Sequence, residues 1–451
     1  MITDQQQQKY IRMTAVPVKQ LVIELAVPST VCMLVTALYN MADTFFIGKI
    51  STQATGAIGI VFTYMALIQS IAFFFGHGSG NYISRELGRK NGENAEKMAA
   101  FGFFSAFAVG VLIAVLGFVF MNPALRLFGA TETILPEARP YFFYILLATP
   151  FIMTTFVMNN HMRFQGNANK AMFGILTGAV LNVILDPILI FGAGLGIRGA
   201  SMATAVSQIA GFFVMLHMTG KGGGIKIRLA NFSFSWASLC EVAAGGLPSL
   251  GRQGLMSVSA ICLNHAAGIY GDSAIAAFSV VSRATMIANS VVIGIGQGFQ
   301  PVCGFNYGAG RFDRVREAVR FSSVLVTALL VVFGISGGIF AEQIVRVFRD
   351  DDLKLIEIAV FALRAQCVTF PLLGGITITN MYLQNIRKTL PATIVAVSRQ
   401  GVFLIAALLL LGPLFGIRGV QLAQPAADAA AFLLALPLGI YSIKGMGRDA
   451  A

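Results

Sequence analysis

Charged residues are scarce in this chain of 451 amino acids. They make up 12% of it, about half of the roughly 25% that is usual in soluble domains. So few charges cannot cover the surface of a soluble protein of this size. Disorder is excluded as well, because it requires low hydrophobicity, whereas hydrophobic residues make up 56% of this chain. We therefore expect an integral membrane protein that crosses the bilayer several times.

Cysteine and histidine are too few and too scattered to build a disulfide framework or a zinc site. The 5 Cys include no CxxC spacing, and the 4 His form no pair at ligand spacing. The sequence also lacks a Walker A motif, an HExxH motif and a serine elbow. ATP-driven transport and a membrane enzyme are therefore disfavoured, and we expect neither a catalytic residue nor a cofactor other than a coupling ion.

One glycine pattern resembles a nucleotide-binding fingerprint and is discounted. Residues 194–199 satisfy GxGxxG, but they follow a predicted membrane helix, and part of the pattern recurs at 416–419. The fingerprint requires a strand before it and a helix after it. We interpret these glycines as a tight turn between two spans.

Long apolar stretches predict twelve transmembrane helices, since a helix crosses the hydrocarbon core in about 20 apolar residues. The first stretch is not expected to be a cleaved signal, because it lacks a small-residue cleavage site and its apolar run continues to Ile47. The predicted spans are 20–46, 55–80, 99–121, 138–160, 170–192, 197–219, 238–267, 273–300, 318–342, 356–383, 390–412 and 416–440.

The distribution of Lys and Arg predicts the orientation. With the N-terminus inside the cell, 20 of the 32 Lys and Arg face the cytoplasm, 9 face outside and 3 lie within spans. Cytoplasmic loops of membrane proteins carry such an excess. We therefore expect a multi-pass protein of the plasma (inner) membrane with both termini in the cytoplasm. The formal net charge of +12 then reflects these loops and not nucleic-acid binding.

The sequence repeats itself at an offset of 220 residues. The clearest match is Gly196-Ile197-Arg198-Gly199 against Gly416-Ile417-Arg418-Gly419. Each copy contains six predicted spans, and an even number returns the chain to its starting side. The copies are thus expected to share one orientation, as in the parallel-repeat class of transporters, and two similar bundles suit alternating access. A channel would more often carry a pore loop or a charged ring.

The repeat also predicts the domain organisation. Glycine-rich runs at 76–80 and 294–298 occupy equivalent places in the two copies, either as hinges or as sites of close helix packing. The predicted segments are a cytoplasmic N-terminal segment 1–19, an N-lobe 20–219 with spans 1 to 6, a cytoplasmic linker 220–237, a C-lobe 238–440 with spans 7 to 12, and a cytoplasmic tail 441–451.

Two acidic residues inside apolar spans are the leading functional candidates. Asp43 lies in span 1 and Asp186 in span 5, and both fall in the expected outer half of the membrane. A charge at such a position costs roughly 2.5–3.5 kcal/mol on insertion scales. Tyr39 precedes Asp43 by four residues, and Asn182 precedes Asp186 by four, so each pair shares one helix face.

Further polar side chains could complete a site around these acids: Thr204 in span 6 and Tyr141 and Asn159 in span 4. Two carboxylates close together in a low dielectric cannot both stay ionised at low cost. The pair is therefore expected to hold a proton or to neutralise a bound cation; the alternative is that both acids only tie helices together. Hard oxygen donors also suit Na⁺. The donor set for Na⁺ is Asp43, Asn182, Asp186 and Thr204.

The second copy carries basic residues where the first carries acids. Leu263 and Ala406 occupy the positions equivalent to the two acids. Asp428 in span 12 is a candidate partner for the arginine of span 11. Two roles are open for the arginines of this copy. Each one pairs with another group inside the helix bundle, or, for the arginines in spans 7 and 8, it contacts an anionic or zwitterionic substrate group. The three arginines, near the middle of spans 7, 8 and 11, are Arg252, Arg283 and Arg399.

Several segments resemble the multidrug and toxic compound extrusion (MATE) family, and the resemblance covers essentially the whole chain. Pro28 followed by Leu38-Tyr39-Asn40-Met41-Ala42-Asp43-Thr44-Phe45-Phe46-Ile47-Gly48 resembles the family's first helix. Tyr82-Ile83-Ser84-Arg85-Glu86-Leu87-Gly88 follows span 2, and Gly298-Phe299-Gln300-Pro301 and Phe305-Asn306-Tyr307-Gly308-Ala309 match in the second copy. The match is closest to the branch of the DNA-damage-inducible F and staphylococcal multidrug exporters.

The resemblance implies an all-α antiporter with two six-helix lobes in a V, which exchanges H⁺ or Na⁺ for amphipathic, usually cationic, organic compounds. It places the cation site in the N-lobe. The other large bacterial branch has acids in the middle of spans 7 and 10, whereas Glu241 and Glu357 lie near the starts of those spans here, so no cation site is expected in the C-lobe. The matching positions are Tyr39, Asp43, Tyr141, Asn159, Asn182, Asp186 and Thr204.

These observations together predict a multidrug efflux antiporter that works by alternating access, with protons favoured over Na⁺. Its partners would be small cationic or zwitterionic organic molecules and the lipid bilayer, and we expect a monomer. The alternative is a flippase for a lipid-linked precursor, as in distant relatives of the same superfamily, and the three arginines within spans keep it open.

Pro28 generates the first testable prediction. It lies inside span 1, about four turns before Asp43, where it frees a backbone carbonyl and permits a bend. We expect protonation of the acid pair to change this bend, so Pro28→Ala should slow transport in proteoliposomes while the helix content stays unchanged by circular dichroism. Normal transport by this variant would contradict a bending role for Pro28.

Overall fold

Helices account for all the regular structure that a computed structural model of the protein shows in residues 4–48, 50–221, 223–350 and 352–447. No strand occurs within these ranges, which confirms the predicted all-α class. A helix pairs its backbone groups within one segment, as the interior of a membrane requires. The last four residues of the predicted tail and the first three of the predicted N-terminal segment lie outside the described ranges.

The helices of the first half follow one another with short connections. Ser51 caps one of them, because its hydroxyl accepts a hydrogen bond of 3.0 Å from the Ala54 N–H. The helices are α1 (Asp4–Ala15), α2 (Val18–Gly48), α3 (Thr52–Gly88), α4 (Gly92–Val119), α5 (Met121–Leu127), α6 (Leu135–Phe164), α7 (Ala168–Pro187) and α8 (Gly196–Met218).

The second half repeats this pattern from Trp236 onward. A π-helical turn, Ser398–Phe403, joins two of its helices, and another, Ile188–Gly192, follows α7 in the first half. The helices are α9 (Trp236–Gly268), α10 (Asp272–Gly308), α11 (Phe312–Ile339), α12 (Ala341–Phe348), α13 (Leu353–Asn385), α14 (Thr389–Val397), α15 (Leu404–Phe415) and α16 (Ile417–Gly445).

Each of the twelve predicted spans coincides with helical structure. Within the described residues, 11 helical segments are long and apolar enough to cross a membrane. The predicted span 238–267 lies in α9, which is 33 residues long but is not among the 11. Arg252 and Gln253 interrupt its apolar stretch, so its membrane crossing stays a prediction.

The chain divides into two compact units, each with its own helix packing. The first consists of Met1–Val16 and Val27–Gly246, and the second of Pro17–Ala26 and Leu247–Ala451. In the first unit, α3 packs on α6, where the Tyr64 and Thr149 hydroxyls share a hydrogen bond of 2.7 Å. In the second, α13 packs on α11 and α16. The start of α2 thus belongs to the second unit and the start of α9 to the first.

Glycines at equivalent places in α3 and α10 allow backbones to approach closely. A Cβ added at Gly78 would lie 2.2 Å from the Val242 carbonyl oxygen, in the first segment of α9. A Cβ added at Gly298 would lie 2.4 Å from Cα of Ala26, in the first segment of α2. Of the two interpretations of these glycine runs, the structure shows close packing at both positions.

The repeated Gly-Ile-Arg-Gly motif is a turn followed by a close helix crossing. Its first glycine has a positive φ in both copies, 55° at Gly196 and 62° at Gly416. A Cβ added at the last glycine would lie 2.5 Å from the Leu189 carbonyl oxygen at Gly199, and 1.8 Å from the Leu411 carbonyl oxygen at Gly419. The turn interpretation of the GxGxxG pattern agrees with this geometry.

This crossing predicts a matched pair of stability effects. Gly199→Ala and Gly419→Ala should each lower the free energy of unfolding by about 1–3 kcal/mol, because the added Cβ would overlap backbone atoms that cannot rotate away. Gly254→Ala, at an exposed position in α9 with nothing within 4 Å of the added Cβ, should be neutral or slightly stabilising. Thermal unfolding in detergent measures all three. Equal unfolding temperatures for all three variants would show that the close helix crossing is not the reason for the last glycine of the motif.

Candidate cation site

The two acidic residues predicted to form a site lie together in the first unit. Asp43 is on α2, and Asp186 is at the end of α7, just before Pro187 and the π-helical turn. Their carboxyl groups lie within interaction distance of each other. Asp43 Oδ1 and Asp186 Oδ2 have no hydrogen-bond partner. Two carboxyl groups this close can be joined by a hydrogen bond only if one proton lies between them, since a carboxylate only accepts.

Helices α6, α7 and α8 supply the polar groups beside the acids. The Asn182 amide donates to Asp186 Oδ1 at 3.3 Å and to Thr204 Oγ1 at 3.4 Å. The Thr204 hydroxyl donates to the Ala200 carbonyl at 3.1 Å, and the Tyr141 side chain lies within interaction distance of Thr204. Asn182 Oδ1 has no partner. The structure therefore brings these three predicted residues to the acid pair.

Tyr39 joins the same cluster through a residue that the sequence analysis missed. It lies one turn before Asp43, and its side chain is within interaction distance of Gln208 of α8. Gln208 follows Thr204 by four residues, so both lie on one face of α8. A polar side chain four residues after Thr204 in an apolar helix was the sequence signal that could have identified Gln208.

A cavity of about 20 Å³ lies beside the acids, enough room for about one water molecule. Three unpartnered oxygens, one each from Asp43, Asp186 and Asn182, belong to the cluster. Such hard oxygens fit a small cation, either a proton or Na⁺. The space is far too small for an organic molecule. The residues that line the cavity are Tyr39, Asp43, Ile58, Phe62, Met65, Tyr141 and Thr204.

The structure does not bring Asn159 to this cluster. Eighteen residues of α6 separate it from Tyr141, which is roughly 27 Å along a helix. The Asn159 amide instead donates to the Ala171 carbonyl at 3.0 Å. In the second unit, Asn380 makes the equivalent bond to Ala392 at 2.7 Å. Because the same bond recurs in the second unit, we interpret Asn159 as a brace that holds two consecutive helices together.

The second unit pairs one of the three arginines with the predicted acid. Arg399 lies in the π-helical turn Ser398–Phe403, and its Nε donates to Asp428 Oδ1 at 2.7 Å. Arg252 on α9 is half-buried and lies within electrostatic range of Arg399. Arg283 is exposed on α10. Pro28 is buried within α2, in the first unit.

The second unit also contains an apolar cavity of about 720 Å³, the size of a site for a drug-like molecule. Helices α9, α15 and α16 form its walls with mostly apolar residues, and His265 and Tyr270 add polar groups.

Known proteins resemble this chain over nearly its whole length. The MatE family model matches residues 28–188 and 248–409, one match in each copy of the repeat. The multidrug export protein MepA of Staphylococcus haemolyticus is 28% identical over 425 residues, which cover 93% of this chain and 92% of that protein. MepA of Staphylococcus aureus is 27% identical over 433 residues, covering 95% of this chain and 94% of that protein.

Solved structures share the fold. A MATE crystal structure in complex with MaL6 superposes with a TM-score of 0.91 at 24% identity, covering 97% of this chain and 99% of the other. An outward-facing multidrug resistance MATE transporter superposes with a TM-score of 0.88 at 24% identity, covering 97% and 98%.

The Arg399–Asp428 pair generates a stability prediction. Asp428 is 2% exposed, so Arg399→Ala should lower the free energy of unfolding by about 3–5 kcal/mol by leaving a buried carboxylate without its counter-charge. Arg399→Ala combined with Asp428→Asn should recover most of that loss, because no charge remains. Unfolding in detergent measures both variants. A double variant as unstable as the single one would show that the arginine acts by packing and not by charge.

Proposed function

This chain belongs to the MatE family, and on that premise we propose that it is a multidrug efflux antiporter that exports amphipathic, mostly cationic, organic compounds in exchange for H⁺ or Na⁺. The carboxyl pair of Asp43 and Asp186 carries the proposal. The two carboxyl groups lie within interaction distance of each other, beside a cavity that holds no more than a water-sized guest.

Coupling through this pair follows from charge. A second negative charge in the cluster is costly in a low dielectric, so the doubly ionised pair needs an incoming cation. Binding of that cation removes the repulsion and favours whichever conformation places the two carboxyl groups together. Driving the exchange then requires only that the cation binds one conformation more tightly than the other.

We favour protons over Na⁺ as the coupling ion. A single proton shared by the two carboxyl groups would join them by a hydrogen bond and reduce the charge of the pair, whereas Na⁺ needs several oxygen ligands. Na⁺ remains the competing ion, because Asp43, Asn182, Asp186 and Thr204 offer it four side chains with oxygen ligands. In either case Tyr39, Tyr141 and Gln208 would orient the ligands through polar contacts.

Small organic molecules are the substrates that the similar proteins suggest, since the MepA relatives are named multidrug export proteins. The apolar cavity of about 720 Å³ in the second unit is large enough for such a molecule, and the cation cavity is not. We place the protein in the plasma membrane with both termini in the cytoplasm, as its Lys and Arg distribution suggests. We also propose that it is a monomer.

The antiporter is tested by dye efflux from proteoliposomes under a pH gradient or a Na⁺ gradient, imposed separately. Ethidium is the cationic dye. The wild-type protein should move ethidium against the concentration gradient of the dye. In Asp43→Asn the efflux rate should fall to the leak rate of protein-free liposomes, because the acid pair has lost a titrating group. Asp272→Asn, which removes an exposed acid at the start of α10, is the matched control and should transport normally.

The effective gradient identifies the coupling ion. Efflux driven only by Na⁺ would reverse our preference for protons. No ethidium movement under either gradient, with folded protein, would contradict the antiporter and favour a lipid-precursor flippase, for which the arginines of the second unit are the supporting observation.

A further inference from the structure

Large apolar side chains are exposed in the connection between α8 and α9, which the sequence analysis interpreted as a cytoplasmic linker. Leu229, Phe234 and Trp236, the first residue of α9, are 68%, 71% and 72% exposed. Water is an unfavourable surrounding for three such side chains in so short a segment. They need an apolar partner, and the position of the connection indicates which one.

The connection is held against the first unit by specific contacts. The Ile225 N–H donates to Gln165 Oε1, just after α6, at 2.8 Å. The Asn231 amide donates to Glu96 Oε2, near the start of α4, at 3.2 Å. The Ile225 side chain is buried in the apolar core of this unit. The backbone of the connection therefore has a fixed place, and its exposed side chains have fixed surroundings.

Two phenylalanines of the connection lie at the level where α4 becomes entirely apolar. The ring centroid of Phe232 is 6.3 Å from that of Phe101 and 5.6 Å from that of Phe104. The ring centroid of Phe234 is 6.2 Å from that of Phe101. Helix α4 is long and apolar enough to cross a membrane, and its last charged residue is Lys97. Phe101 follows Lys97 by about 6 Å along the helix axis, so the connection reaches past the charged first turns of α4.

The face of α4 that the connection covers continues as an exposed apolar stripe. Val111, Val115 and Val119 follow Phe104 at helical spacing on the same face, and all three valines are exposed. An exposed stripe of valines on a membrane-crossing helix is a surface for lipid chains. Phe232 packs on Phe104 at the end of this stripe. Exposed side chains of the connection therefore continue the lipid-facing surface of α4.

The charge of the connection is complementary to an anionic lipid surface. Residues 219–240 include Lys221, Lys226 and Arg228 and no acidic residue, and the three basic side chains are exposed. Anionic phospholipids give a membrane surface a negative potential that attracts basic residues beside a membrane helix. A Trp ring, with an apolar body and a polar N–H, favours the level of the lipid headgroups. Trp236 is the Trp of this segment.

We propose that residues 226–236 form a membrane anchor of the first unit. Phe234 and Trp236 insert into the interface of the bilayer, and Lys226 and Arg228 bind the phosphates of anionic phospholipids. The connection is then part of the lipid-binding surface and not a linker surrounded by water. This inference requires only that the chain is a membrane protein. It is independent of the coupling ion and of the organic substrate, and its test does not use transport.

Tryptophan fluorescence tests the anchor directly, because Trp236 is the only Trp of the chain. The full-length protein is placed in lipid nanodiscs, one copy in each, that contain a fixed fraction of brominated phosphatidylcholine or brominated phosphatidylglycerol. Bromine quenches tryptophan on contact. Both lipids should quench Trp236, and phosphatidylglycerol, which is anionic, should quench it more strongly. Acrylamide, a quencher dissolved in the water, should have little effect.

Charge variants test the role of the two basic residues. Lys226→Gln combined with Arg228→Gln should remove the difference between the two brominated lipids, while quenching by phosphatidylcholine stays. Lys354→Gln combined with Arg364→Gln is the matched control, since it also removes one exposed Lys and one exposed Arg, both from α13. The control should keep the wild-type difference. Equal quenching of the wild-type protein by the two lipids would overturn the role of Lys226 and Arg228.

Phe234→Ser tests insertion separately. Phe234 is exposed, so this variant should unfold at nearly the wild-type temperature. Quenching of Trp236 by both brominated lipids should fall and quenching by acrylamide should rise, because less apolar surface holds the segment in the bilayer. Phe234→Leu should keep the wild-type values.

Two results for the wild-type protein would overturn the anchor. Strong quenching by acrylamide with none by either brominated lipid would place Trp236 in water. Protection of Trp236 from acrylamide and from both brominated lipids would show that protein, and not lipid, covers this segment.

Discussion

A polar or charged group in an apolar interior needs a partner, and this requirement shapes the protein at every level. It makes the described backbone helical, because a helix pairs its own N–H and C=O groups. It brings Asp43 and Asp186 within interaction distance of each other, where a shared proton would reduce the charge of the pair. It also surrounds Asp428 with Arg399, Gln424 and Thr369. The groups left without partners are the places where a ligand can act.

The two copies share packing devices and differ in chemistry. The asparagine brace between consecutive helices recurs, as Asn159 to Ala171 and as Asn380 to Ala392. The Gly-Ile-Arg-Gly crossing recurs as well. In contrast, the acid pair has no counterpart in the second copy, where an arginine cluster is found. Packing contacts depend on backbone geometry common to both copies, whereas a binding site needs only a few side chains, so it can change without disturbing the fold.

Much of the site could be predicted from the sequence because its residues stand out against an apolar background. Asp43, Asp186, Asn182, Thr204, Tyr39 and Tyr141 are polar groups within apolar helices, and the structure brings them together. Gln208 carried the same signal at helical spacing from Thr204 and was overlooked. Asn159 was misplaced, because a polar residue in a span can also bond a neighbouring backbone carbonyl. Tyr141 and Asn159 both lie on α6, and only their positions along the helix decide which of them reaches the acid pair.

The sequence by itself determined the helical class, the repeat and the candidate polar residues, because apolar length, periodicity and rare charges are properties of the chain that need no neighbours. Tertiary structure decided which polar groups meet. The closeness of the two acids, the water-sized cavity and the π-helical turn that carries Arg399 all depend on how neighbouring helices are rotated and how deeply they pack. Those rotations arise from many contacts between residues distant in sequence, so no local pattern encodes them.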